Sequence, residues 1–279
     1  MRALDEVPRI AVMTAFPPEW AALVDHVREP CEHRVNGLTI LTGTLSGKPV
    51  VLMQSGISMV NAAMNTQLLI DRFTVRAIVF SGIAGGVDPM LAVGDVCVPD
   101  RWGQNFEIAF ARETPNGFAP PTGIPGGTDL PGHGALFPRD VFVGNADDAV
   151  AERRWFKADA DLVALAERVA GQITLDQCLD RCPRVVTGGT GVSGSVFVDN
   201  AAYRQYLARV YEARVVDMES AAVAQVAYVN RVNFVIFRSV SDLAGGDAAE
   251  NLMLTFMSLA ARNSAHLVRA FVAAMADPR

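Results

Sequence analysis

The sequence predicts an α/β fold, and three observations carry the prediction. Short unbroken apolar runs (IAVM at 10–13, AIVF at 77–80, FVIF at 234–237) have the length and composition of strands buried on both faces. Between them lie segments with apolar residues at helical spacing, such as 160–171 and the stretch from about Ala249 to Ala274. Strands and helices alternate along the chain without an internal repeat, as in a sheet covered by helices. The reading is one domain over residues 1–279.

In order, the strand at 10–13 is followed by Pro17 and Pro18, which suit the first turn of a helix reaching about Val27. Glu19 then stands at a strand-to-helix junction. LTILTG at 38–43 and PVVLM at 49–53 read as a hairpin through Ser46, Gly47 and Lys48. SGIS at 55–58 precedes a helix from about Val60 to Phe73. AIVF runs into SGIAGG at 81–86, read as a glycine-rich turn where a ligand can approach the backbone. It matches neither the dinucleotide fingerprint nor the P-loop. DVCV at 95–98 is a short strand stopped by Pro99.

From Thr114 to about Pro138, proline and glycine crowd together with little periodicity. This predicts a long loop or insertion, ordered by packing on a neighbour, because the strand pattern resumes afterwards. A helix over 160–171, a strand over 184–187, a turn over 188–191 and VSGSVFV at 192–198 follow. Asp199 and Asn200 cap a helix through about Tyr211. VV at 215–216 is a short strand ending at DMES, 217–220, and the Ala- and Val-rich segment 221–229 is a helix suited to close packing. FVIF ends at RSVSD, 238–242, before Gly245 and Gly246. The segment from 249 closes the chain as a helix in one or two pieces.

The chain has 279 residues, 51% of them hydrophobic, and a net charge of −6. With no basic stripe, that charge argues against nucleic acid or an anionic membrane as partner. No apolar run reaches membrane-spanning length, and the first residues lack a charged segment followed by a signal-type apolar core. A cytoplasmic location is the expectation, with export of a processed form left open. Only Cys178 and Cys182 lie close among the four cysteines, and the four histidines are scattered. Free thiols are expected, or a Cys178–Cys182 disulfide in an exported protein, and no metal site or cofactor.

Three carboxylates stand where strands end: Glu19, Glu219 and Asp242. In an open α/β sheet, that edge is where ligands bind. Taken singly, each has a structural explanation. Glu19 and Glu219 are favoured by the dipole at a helix start, and Ser241 with Asp242 can form a turn or cap.

The chain resembles the nucleoside phosphorylase/nucleosidase superfamily, most closely its 5′-methylthioadenosine/S-adenosylhomocysteine nucleosidases. The resemblance lies in IAVMTAFPPEW, SGISMVNAA, FSGIAGGVDPMLAVGDVCVPD, FKADADLVALAE, VSGSVFVDN, VVDMESAAVAQVA and FRSVSDLAGG. It implies one domain with a mixed, partly barrel-like central sheet flanked by helices, and a homodimer whose partner subunit helps close the site. It implies hydrolysis of a purine nucleoside at the N-glycosidic bond. Asp242 would protonate the purine, with Ser241 orienting it, and Glu19 would activate water. Glu219 would grip the ribose hydroxyls, Met218 would lie against the sugar, and Arg238 would lie near Glu19. Phe197 would stack on the purine and the Val198 backbone would read its edge. Gly85 would lie beside the water. Ile57, Phe16 and Phe256 would line the pocket for the 5′-substituent.

Three residues depart from the family's pattern. Ile83 replaces a common serine, Asp217 a common glutamate, and Phe16 a more flexible apolar residue. Two other functions fit the same resemblance. A phosphorylase would need cations around the glycine segment to hold phosphate, and 80–86 contains none. A non-catalytic nucleoside-binding protein would not need all three carboxylates.

Overall fold

The computed structural model describes residues 4–176 and 181–276. Pairing of Cys178 with Cys182 therefore falls outside the described residues, while Cys31 and Cys97 are free thiols. In chain order the elements are β1 (Asp5–Thr14), α1 (Pro17–Val24), β2 (Val27–Val35), β3 (Leu38–Leu45), β4 (Lys48–Gln54), α2 (Met59–Arg72), β5 (Phe73–Gly86), β6 (Val96–Val98) and β7 (Arg101–Gln104). Six short strands follow: β8 (Ile108–Phe110), β9 (Arg112–Thr114), β10 (Gly117–Ala119), β11 (Leu136–Pro138), β12 (Val141–Val143) and β13 (Ala151–Arg153). The chain then continues through β14 (Trp155–Lys157), α3 (Ala160–Ala170), β15 (Val185–Thr187), β16 (Thr190–Ser193), α4 (Ala201–Val210), β17 (Ala213–Asp217), α5 (Ser220–Asn230), β18 (Asn233–Asp242) and α6 (Met253–Ala274).

Twelve strands form one mixed sheet, ordered β14-β7-β16-β17-β5-β1-β4-β3-β2, with β18, β6 and β15 branching from β5. The parallel trio β1, β5 and β18 is its centre, and residues 10–13, 78–80 and 235–237 are fully buried. Both faces are covered, as continuous apolar strands require. Ala221, Ala224 and Ala227 of α5 pack with Ala62 and Leu69 of α2 on one face. Leu23 of α1 and Val268, Phe271 and Val272 of α6 pack on the other.

Where the structure departs from the sequence reading, pairing decides. Segment 81–86 is not a turn: β5 continues through Gly86, with Phe80–Gly85 in parallel register against Ile236–Asp242 of β18. Its glycines answer a need for space. A Cβ on Gly82 would lie 1.7 Å from one Arg238 guanidinium nitrogen and 2.5 Å from Glu19 Oε1. Helix α1 stops at Val24, because Val27 begins β2 against β3. Likewise α2 stops at Arg72, because Phe73 begins β5. Helix α6 is unbroken. The Pro/Gly-rich stretch contains the β9–β10 hairpin, and its end returns to pair β11 with β8. It packs on α4: His133 lies against Tyr203 and Tyr206, and Tyr206 donates to Pro131 O. Among the described residues no helix is long and apolar enough to cross a membrane, and no His/Cys/Asp/Glu group is placed to hold a metal ion.

Candidate active site

The ends of β1, β5, β17 and β18 open into a cleft. Phe16, Glu19, Ile57, Gly85, Phe197, Val198, Met218, Glu219, Ser241 and Asp242 all line it, together with Ile83 and Asp217. Arg238 lies beneath them, fully buried. Phe256 does not line the cleft. Helix α6 starts at Met253, so Met253 lies on the cleft wall and Phe256 is nearly a turn further along.

Arg238 organises the floor. Its Nε lies 2.6 Å from Asp217 Oδ2 and donates to Ser220 Oγ at 2.9 Å. Its terminal nitrogens lie 3.6 Å from Glu19 Oε1 and 3.7 Å from Glu219 Oε2, and neither has a hydrogen-bond partner. The guanidinium sits 4.1 Å above the Phe80 ring. Both nitrogens are buried, so Arg238 acts on the two glutamates through its charge across these short gaps. Three carboxyl groups, from Glu19, Asp217 and Glu219, surround one cation.

Asp217, the shorter carboxylate, is fully engaged. It pairs with Arg238, accepts the hydroxyls of Ser193 and Ser220, and accepts the N–H groups of Glu219 and Ser220 at the start of α5. Glu19 accepts Ala15 N–H at 2.6 Å and Ile83 N–H at 2.8 Å. Residue 83 thus contributes through its backbone, whatever its side chain. Burial raises the Glu19 pKa, while Arg238 and the two N–H groups hold it down.

Glu219 accepts Ser58 N–H at 2.8 Å. Burial, then repulsion from Asp217, pushes its pKa up to about 8, against the pull of Arg238. Ser58 holds this position with φ 80° and ψ 158°, a region nearly exclusive to glycine, at a cost of about 1–3 kcal/mol. Asp242 accepts Ser241 Oγ on Oδ1 at 2.7 Å, and Ala244 N–H and Asn251 Nδ2 on Oδ2 at 3.0 and 3.1 Å. Burial still raises its pKa from the ordinary aspartate value. A Cβ on Gly85 would come within 3.4 Å of Asp242 Oδ2. Phe197 is half exposed, presenting an aromatic surface on the opposite wall. Ser58, Asn251 and Met253 were not singled out from sequence. Ser58 lies in a stretch read as loop, whereas Asn251 and Met253 fall in the segment read as helix from about Ala249; the helix in fact begins at Met253, which leaves Asn251 in the loop before it.

Fold and cleft together define an α/β protein whose sheet edge gathers carboxylates around one buried arginine beside an apolar, aromatic wall. The chain belongs to the phosphorylase superfamily, whose family model matches residues 9–273. It is 32% identical over 267 residues to a 5′-methylthioadenosine/S-adenosylhomocysteine nucleosidase of Geobacillus sp. (strain WCH70), covering 96% of this chain and 99% of that one. The S. pneumoniae nucleosidase of the same name, solved with a transition-state inhibitor, superposes with a TM-score of 0.71 at 28% identity, covering 95% of this chain and 99% of that one. The Neisseria meningitidis nucleosidase, solved with methylthio-immucillin-A, superposes with a TM-score of 0.73 at 25% identity, covering 96% and 100%.

Proposed function

We propose that this protein is a purine nucleosidase hydrolysing the N-glycosidic bond of an adenine nucleoside such as 5′-methylthioadenosine or S-adenosylhomocysteine. One observation carries the reading: Glu19, Glu219 and Asp242 converge on one cleft, each held by its own partners, Ala15 and Ile83 N–H at Glu19, Ser58 N–H at Glu219, and Ser241, Ala244 and Asn251 at Asp242. The relatives, which bear that activity in their names, support it.

A purine leaves poorly as an anion. Asp242, whose protonated form burial favours, gives its proton to the base as the C1′–N bond breaks. Phe197 stacks on the base, and the Val198 backbone reads its edge. The sugar becomes oxocarbenium-like. Glu219 accepts its hydroxyls, Met218 lies against it, and the surrounding carboxylates stabilise its positive charge. Water beside Gly85 and Glu19 attacks C1′ and gives its proton to Glu19. The products are the free base and free sugar. Phe16, Ile57 and Met253 form an apolar surface for the 5′-substituent.

Phosphate is disfavoured as nucleophile, because Glu19 and Glu219 already occupy the field of Arg238. An exposed apolar strip from Ile57 through Val60 and Met64 of α2 supports a homodimer built beside the cleft mouth. A cytoplasmic location is part of the same proposal. The deciding experiment is product analysis with 5′-methylthioadenosine, adenosine and inosine, with and without phosphate. Free sugar formed without phosphate is expected. Sugar 1-phosphate formed only with phosphate would replace the hydrolase by a phosphorylase.

A further inference from the structure

The loop between β18 and α6 carries a side chain whose polar atoms are all committed to the cleft walls. Asn251 Nδ2 donates to Asp242 Oδ2 at 3.1 Å and to Asp199 Oδ1 at 3.1 Å. Its Oδ1 accepts the backbone N–H of Met253 at 2.9 Å. The amide has one workable orientation. Turned over, its oxygen would face two carboxylates and its NH₂ would face an N–H. Asn251 therefore ties together the end of β18, the residue after Val198, and the first residue of α6.

We propose that Asn251 is a positioning residue for Asp242, fixing its carboxyl group and occupying Oδ2 so that the transferable proton is carried on Oδ1. The proposal rests on the reading of Asp242 as the acid. Oδ2 already accepts two hydrogen bonds, from Ala244 N–H and Asn251, which fill its in-plane lone pairs. Oδ1 accepts only Ser241 Oγ, which has a second acceptor in reach, Ala84 O at 3.3 Å. With Asp242 protonated, the Ser241 hydroxyl turns to Ala84 and Oδ1 carries the proton. When that proton passes to the base nitrogen, the hydroxyl turns back, and the new carboxylate receives donors from Ser241, Ala244 and Asn251.

The charged groups around Asp242 set the direction of the effect. Asp247 in the same loop and Asp199 across Asn251 are like charges. Glu19, Asp217 and Glu219 share the cleft with Asp242, and Arg238 lies under them. Arg204 of α4 is spent on Gly86 O. Removing the Asn251 amide takes a donor from the ionised form and leaves Asp199 facing Asp242 without a bridge. Both changes favour the protonated acid.

The test is the pH profile of kcat/KM for 5′-methylthioadenosine, whose alkaline limb reports loss of the protonated acid. In Asn251→Ala the limb is expected to move up by about one pH unit, with lower kcat from looser placement. Asn251→Asp keeps an acceptor for Met253 N–H but turns a carboxylate towards Asp242, and its limb should move further. It also decides the matter if the alanine variant does not fold. An alkaline limb left at the wild-type position, with a uniform loss at every pH, would make Asn251 a loop anchor and overturn the proposal. Asp242→Asn separates this from the underlying reading: turnover surviving in that variant would remove Asp242 as the acid, whatever Asn251 does.

Discussion

Glu219→Gln should stabilise the free protein while weakening its hold on nucleoside, and the stabilisation should depend on pH. The folded protein raises the Glu219 pKa from 4.5 to about 8, through burial first and Asp217 second. Below the ordinary carboxylate pKa the group is protonated in both states, and burial costs nothing through this route. As pH rises, the unfolded chain ionises first while the folded one keeps its proton, so stability falls by about 1.4 kcal/mol per pH unit. Near pH 6 the penalty is roughly 2 kcal/mol, and above the folded pKa it levels off at no more than about 5 kcal/mol. Glutamine keeps an acceptor for Ser58 N–H and removes the repulsion from Asp217, but it gives up the attraction of Arg238, so the gain falls short of that ceiling. Thermal melting of both proteins between about pH 5 and about pH 9 reads this directly, since 1 kcal/mol moves Tm by about 2–4 °C in chains of this order. The gap should widen up to about pH 8 and then hold. A gap that is flat, or that narrows with rising pH, would mean that Glu219 is ionised in the folded protein and that its burial has been misjudged.

Other outcomes follow from the same geometry. Asp242→Asn should fold normally and lose turnover by about 10²–10⁴-fold, the range for a general acid; a specific-activity assay beside a melting curve checks both. Gly82→Ala would drive a methyl group into the Arg238 guanidinium, at 1.7 Å, and force it away from Glu19. It should destabilise by about 3–5 kcal/mol, as breaking a buried ion pair does, and abolish activity, and a stable, active variant would show that the cluster is not rigid. Nucleoside binding near neutral pH should release protons, because hydroxyls donating to Glu219 favour its charged form and lower its pKa. Calorimetry in buffers of different ionisation enthalpy detects this, and proton uptake would contradict it.

Much of the central sheet was legible because its strands are buried on both faces and read as unbroken apolar runs. Strand β2 was not: VREPCEHRV is exposed over most of its length and shows neither alternation nor an apolar run. The second half of β5 looked like a turn because glycine carries no β-sheet signal of its own. Its extended state comes from pairing with β18, far away in sequence. Glu19, Glu219 and Asp242 were legible together as acids on the ligand-binding edge of the sheet, but their separate roles came only with the resemblance. Asn251 was not legible. It lies nine residues beyond Asp242, where the apolar spacing of α6 reads as helix from about Ala249 although the helix begins at Met253.

The continuity of β5 divides the cleft into parts that breathe differently. Its floor is a ladder, 80–85 bonded to 236–242, in the middle of the core. Its walls are loops, 55–58, 194–200 and 243–252. Amide protons of the floor should exchange with solvent only through global opening, while those of the walls exchange through small local excursions. Nucleoside should therefore add little protection to the ladder and much to the loops. Slowed exchange on binding would trace the outline of the walls and leave the floor, where the chemistry takes place, unchanged.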